Sequence, residues 1–188
     1  MAIESESGFP FSQACENNKD PILEQLKTLL TGCRSVLEIG GGTGQHALYF
    51  AQSLPDLTWH SSDVASNLDS LARRIVHASL ENLPKPIRLD VDHRPWACGR
   101  YDAVFTANSL HIMSEHSVEN LFVEIPDHMN AQAQLLAYGP FKYRGEFTTA
   151  SNASFDEWLK ERNPLSGVRD FEWVNALAQR AGLRLKQD

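Results

Sequence analysis

From residue 20 onward the apolar positions alternate between helical spacing and short continuous runs. Ile22, Leu23, Leu26, Leu29 and Leu30 recur at intervals of three and four. That spacing predicts a helix with Asp20 as its cap, Pro21 in its first turn and Gly32 as its stop, after a polar lead-in over residues 1–19. The run 35–39 predicts a strand, and 45–54 a helix with Ala47, Leu48 and Ala51 on one face. A second strand is expected over 57–61, closed by Ser62-Asp63, then a helix marked by Leu68, Leu71, Ala72, Ile75 and Val76. Strands over 87–91 and 101–107 follow, then a helical stretch over 115–129 that Pro126 divides, then a fifth strand over 134–138. Beyond it the pattern reads as a polar and aromatic loop and a capping box, Ser154-x-x-Glu157, ahead of Trp158 and Leu159. A last helix over 169–181 is closed by Gly182, and Leu183-Arg184-Leu185 starts a sixth strand.

Strands alternating with helices imply an α/β fold, a mostly parallel sheet sandwiched between helices. With 188 residues, 42% of them apolar, the chain is expected to form one domain: a lead-in and helix over 1–31, a core over 35–139, and a loop, helix and last strand over 140–188. The balance of 17 Lys and Arg against 24 Asp and Glu gives a net charge of -7, which disfavours nucleic acid as a partner. Three scattered cysteines suggest neither a disulfide framework nor a zinc site, and the histidines show no metal spacing. Without an apolar run of membrane-spanning length or a secretory leader, the expectation is a cytoplasmic protein with a small-molecule substrate and no membrane partner.

The first strand runs into Glu38-Ile39-Gly40-Gly41-Gly42-Thr43-Gly44, glycines placed where a strand turns sharply into a helix. Gly42-x-Gly44-x-x-Ala47 fits the dinucleotide fingerprint, and so a nicotinamide-dependent oxidoreductase. Glu38-x-Gly40-x-Gly42-x-Gly44 fits the acid-then-glycine loop of class I methyltransferases. A carboxylate at Glu38 would repel a pyrophosphate and suits the ammonium and sulfonium of S-adenosylmethionine, which favours the second reading. Asp63, ending the second strand, is placed to accept from ribose hydroxyls. Asp90 is either an acceptor for an adenine amino group, with the Val91 N–H facing a ring nitrogen, or a solvated turn carboxylate.

Glycine loop, Asp63, Asp90 and strand order together resemble the class I S-adenosylmethionine-dependent methyltransferase superfamily, a Rossmann-like three-layer sandwich. More narrowly, the chain resembles an uncharacterised methyltransferase-like family, formerly a domain of unknown function, related to methyltransferase-like protein 26. The stretches that carry this are Phe11-Ser12, Asn17 and 20–23, then 36–46, 57–63, Ala107-Asn108 and His111-Ile112. Residues 138–141, Ser151-Asn152, Phe155-Asp156, Gly167 and Arg169-Asp170 complete it. The resemblance implies that Glu38, Gly40, Gly42, Thr43, Gly44, Asp63, Asp90, Val91 and Asn108 bind the cofactor. Two departures stand out. Asn130-Ala131-Gln132-Ala133 replaces the usual Gly-Gly turn before the fifth strand. The chain also ends at Asp188, so the final antiparallel strand is expected to be missing, with the fifth strand a sheet edge or covered by another chain.

Methyl transfer from a sulfonium asks the protein to align nucleophile, methyl carbon and sulfur, with a base only where the acceptor must lose a proton. Asn108-Ser109-Leu110-His111 differs from the N-P-P-Y type motif that methylates base amines. His111 is either that base or a residue that packs or caps the next helix. Tyr138, Phe141 and Tyr143 are expected to line a substrate lid, or to pack on the sheet, and Asn17 to close over the cofactor. His46 is expected on the surface of its helix. A catalytically silent cofactor-binding scaffold is the remaining alternative.

Overall fold

The computed structural model describes residues 3–4 and 8–188. Their contacts form two compact units: Met1–Asp90 with Ala97–Thr106 and Met129–Leu136, and Val91–Trp96 with Ala107–His128 and Ala137–Asp188.

The first unit opens with β1 (Ile3–Glu4) antiparallel to β2 (Pro10–Phe11), then α1 (Gln13–Leu29). The helix starts at Ser12, whose hydroxyl caps the Cys15 N–H at 3.4 Å, not at Asp20, and Pro21 sits inside it on the exposed face. A proline there removes one helix hydrogen bond, a loss that water on the exposed face offsets. Tertiary contacts hold the polar first turns: Asn18 is buried and bonds His46 Nε2 at 2.7 Å. His46 is therefore a core residue, stacked on Phe50 at 5.2 Å and only 4% exposed, not a surface one.

The sheet follows: β3 (Ser35–Ile39), α2 (Gln45–Ser53), β4 (Thr58–Asp63), α3 (Ala65–Ala78), β5 (Ile87–Arg88), β6 (Tyr101–Ala107) and β7 (Met129–Tyr138). All five strands are parallel, in the order β5-β4-β3-β6-β7. Strand order reverses between β3 and β6, and in open α/β sheets ligands bind outside the carboxyl ends of the strands at such a point. β7 is an edge strand and longer than expected, because it includes the Asn130–Ala133 stretch, where Gln132 takes φ +66°. β5 is shorter than expected and stops at Arg88. Phe50, Trp59 and Phe105 pack within 5.7 Å of one another at the centre of the core, and each such aromatic pair adds roughly 0.5–1.5 kcal/mol beyond its buried area.

The second unit holds α4 (Glu115–Glu124), a 3-10 turn (Ile125–His128) around Pro126, β8 (Phe141–Tyr143), β9 (Glu146–Phe147), α5 (Ala150–Arg162), β10 (Arg169–Asp170) and α6 (Phe171–Arg180). The expected loop after β7 is in fact a hairpin: β8 and β9 are joined by Arg144-Gly145, both at positive φ, the backbone of a tight two-residue turn. β10 adds to it in parallel, so Arg169 and Asp170 precede α6 and do not begin it. α5 is capped by Thr149, whose hydroxyl accepts from Asn152 N at 3.1 Å, which puts Ser154 inside the helix and not at a capping box. Leu183–Leu185 joins no strand among the described residues, so the expected sixth strand does not form.

Candidate active site

The loop from Gly40 to Gly44 lies at the carboxyl end of β3, hung from the neighbouring strand by backbone bonds. Gly40 N and Gly41 N both donate to the Ser62 carbonyl, at 3.0 and 2.9 Å. Gly44 opens α2 at φ +74°, and a Cβ there would stand 2.8 Å from Leu71, so the position admits only glycine. The first-turn N–H groups of α2 have no partner within the helix, and Gln45 N donates to Thr43 Oγ1 at 3.5 Å. Arg74 locks the turn from α3, its Nε donating to the Thr43 carbonyl at 2.6 Å and its Nη2 to the Pro10 carbonyl at 2.5 Å. Gln45 ties the loop to α1: its Oε1 accepts from Ser12 N at 2.6 Å and from Thr43 Oγ1 at 3.0 Å. The sequence reading missed both Arg74 and Gln45, whose partners lie about 30 residues away.

Asp63 ends β4 and is 6% exposed. One oxygen accepts from Gly42 N at 2.6 Å, the other from Val64 N at 2.7 Å and Asn67 Nδ2 at 3.0 Å. A carboxylate offers about four lone-pair sites, so the brace leaves one for a ligand hydroxyl. Asp90 belongs to the same unit and follows Leu89, whose N–H donates to the Asp63 carbonyl at 2.9 Å.

Glu38 is placed differently from the expectation. It is 2% exposed, beneath the loop, and its carboxylate accepts from Ser61 Oγ at 2.5 Å and Trp59 Nε1 at 3.2 Å. Burial pushes its pKa from 4.5 up to about 7, against the lowering effect of those two donors. It supports the glycine turn from β3, tied to Ser61 and Trp59 of β4, so its charge no longer discriminates between an ammonium and a pyrophosphate above the loop.

That burial has a pH signature. Between pH 4.5 and 7 the native state keeps a proton that the unfolded chain has released. Stability from Glu38 is therefore complete below pH 4.5 and is lost as pH rises through 7, by about 3 kcal/mol in total. Glu38→Gln keeps an acceptor for Ser61 and cannot ionise. Thermal melts from pH 5 to 8.5 should show the variant gaining on the parent as pH rises; a constant gap would contradict this assignment.

In the second unit, Asn108 takes φ +55° after β6, with its N–H on the Tyr138 carbonyl at 2.8 Å and its side-chain Nδ2 buried without a partner among the described residues. Gly139 lies beside His111: a Cβ there would make ordinary van der Waals contact with His111 Nδ1 at 3.5 Å. His111 is 4% exposed, edge-on to Phe155 at 5.2 Å, and burial, followed by the Arg169 charge, lowers its pKa to about 4. Phe141 and Tyr143 pack on Phe171, and the Tyr143 hydroxyl donates to Asp188, while Tyr138 is 43% exposed. Val91 is buried in this unit; Asn17 is exposed in the first, accepting from Gln13. Asn108, Tyr138 and His111 thus come together within the second unit.

A family model described as Protein of unknown function (DUF938) matches residues 9–188. The chain belongs to that family. In fold it is similar to an O-methyltransferase family protein from Burkholderia thailandensis, with TM-score 0.81 and 17% identity over 93% of this chain and 54% of that one. Human N-acetylserotonin methyltransferase in complex with SAM gives 0.76 and 17% over 93% and 48%. PigF with SAH gives 0.76 and 14% over 89% and 50%. The DUF938 chain therefore spans about half the length of these structures, and at such identities the likeness establishes the fold, a methyltransferase-like Rossmann architecture. Among the described residues no helix is long and apolar enough to cross a membrane.

Proposed function

We propose that this DUF938 protein is an S-adenosylmethionine-dependent methyltransferase acting on a small-molecule acceptor, and that its relationship extends to methyltransferase-like protein 26. The observation that carries the reading is the glycine loop at the strand-order switch, braced by Asp63, in a fold shared with methyltransferases solved with that cofactor or its product. The donor set fits the group. The α2 first turn offers N–H groups to the cofactor's carboxylate, and Asp63 keeps one lone-pair site for a ribose hydroxyl. Asp90 is assigned to the adenine side. When bound, the cofactor supplies an activated methyl group whose reactivity is its own. The chain's part is to bind and orient: Arg74, Gln45 and Asp63 hold the loop in one shape before any ligand arrives, which lowers the ordering cost of binding.

His111 has a pKa of about 4, so it is neutral and unprotonated from pH 6 upward. A rate that depended on its ionisation would rise below pH 5 and be flat above. The packing role, edge-on to Phe155, needs no such titration. We assign His111 to that role first, with catalysis by alignment of an acceptor that is already nucleophilic.

A thermal-shift panel of S-adenosylmethionine, S-adenosylhomocysteine and NAD tests the reading. At ligand concentrations about 100 times Kd, the first two should raise the melting temperature by roughly 5–10 °C, and NAD should leave it unchanged. A shift with NAD alone would favour the oxidoreductase, and a shift with none of the three would overturn the proposal.

A further inference from the structure

The second unit contains a cleft of about 150 Å³, lined among others by Glu115, Lys142, Asp156, Lys160, Arg169 and Trp173. Arg169 is 7% exposed and rigidly held. Its Nε donates to the Leu110 carbonyl at 3.2 Å, and its Nη2 to the carbonyls of Met113 and, at 2.8 Å, Leu165. The other terminal nitrogen, Nη1, has Glu115 as its ion-pair partner at 3.6 Å. That separation exceeds the usual length of a charge-assisted hydrogen bond, and the Glu115 side chain is 74% exposed. A guanidinium taken out of water needs counter-charge, which Glu115 and Asp156 supply here, and Glu115, exposed and 3.6 Å away, is the one that an incoming anion can displace.

Lys142 borders the same cleft and makes no ion pair among the described residues; its ammonium lies 5.6 Å from the Phe147 ring centroid. The acids around it are already engaged. Asp156 accepts from Lys160 Nζ at 2.6 Å and Val168 N at 2.7 Å, and Asp170 accepts from Gly145 N at 2.8 Å. Arg169 and Lys142 therefore stand at one cleft where the Asp156 charge acts on both, while that carboxylate and Asp170 are held by hydrogen bonds from Lys160, Val168 and Gly145.

We infer that this cleft binds the carboxylate or phosphate group of a small molecule between Arg169 Nη1 and Lys142, displacing the Glu115 side chain. Arg169 is the fixed element, since three backbone carbonyls orient its guanidinium before the anion arrives. Lys142 adds a flexible second charge, and Glu115 acts as a weak internal competitor. No residue of the glycine loop takes part, so the inference stands apart from the methyl-transfer reading.

The test uses amide and indole NMR shifts of the full chain, titrated with inorganic phosphate and separately with malonate, against chloride at equal ionic strength. Saturable shifts are expected at Gly167 and at the Trp173 indole. Lys142→Met should weaken binding about 5–10-fold and Glu115→Gln should tighten it about 2–5-fold. Saturation by phosphate alone assigns a phosphate-bearing ligand, by malonate alone a carboxylate, and by both a general oxyanion site. No saturation by either probe, or shifts confined to the Gly40–Gly44 amides, would overturn the inference. So would unchanged affinity in both variants, which would leave Arg169 as a latch for the turn at 110–113.

Discussion

Gly41→Ala is expected to destabilise the protein by about 2–4 kcal/mol, although it adds a single methyl group. A Cβ at this position would stand 2.2 Å from Ser61 Oγ, 3.2 Å from Glu38 Oε2 and 3.3 Å from Leu71. Ser61 is fully buried and cannot swing aside without losing its 2.5 Å bond to Glu38. The loop cannot lift either, because Gly40 N and Gly41 N are both fixed to the Ser62 carbonyl. The clash must therefore break either the carboxylate's hydrogen bond or the loop's attachment to β4. Denaturant unfolding of the parent and the variant checks this. Adding Ser61→Ala removes the obstructing oxygen, so the double variant should be less destabilised than the two single losses added together. Strict additivity would show that the loop has room that these distances do not allow.

The parts of the molecule legible in the sequence are those where local chemistry leaves one option. Glycines at a strand end mark a backbone turn close to its neighbours, and Gly44 at φ +74° against Leu71 shows why no other residue serves. Asp63 was legible for the same reason, as an acid closing a strand beside such a turn. The start of α1 was not, because residues 13–19 contain no apolar periodicity and are held by distant partners, Gln45 on Glu16 and His46 on Asn18. The hairpin of β8 and β9 was hidden because its turn uses Arg144, a residue that seldom takes positive φ, where asparagine or aspartate usually signals it. Glu38 was read as facing a ligand because pattern shows only that an acid precedes glycines. Its real partners, Ser61 and Trp59, stand on the adjacent strand 23 and 21 residues away, and only the register of β3 against β4 brings them together. Arg169 was passed over as the first residue of a helix, whereas its part depends on three carbonyls from two separate segments.

Asp63→Ala carries the largest expected effect on binding. The carboxylate does two things at once: it orients Gly42 N–H at 2.6 Å and keeps a lone-pair site for a ribose hydroxyl. Alanine removes both, and frees the loop that the ligand must meet. Loss of one charge-assisted hydrogen bond costs about 1.5–3 kcal/mol, which is roughly a 10- to 150-fold loss of affinity. The Val64 and Asn67 bonds go as well, so the melting temperature of the unliganded variant must be recorded beside its affinity. The decisive measurement is calorimetric titration of S-adenosylmethionine into the parent chain and into Asp63→Ala at a temperature where both are folded. The account predicts saturable one-to-one binding to the parent and binding weaker by about 10- to 150-fold in the variant. Absence of binding to the parent, or equal affinity in the two proteins, would contradict it.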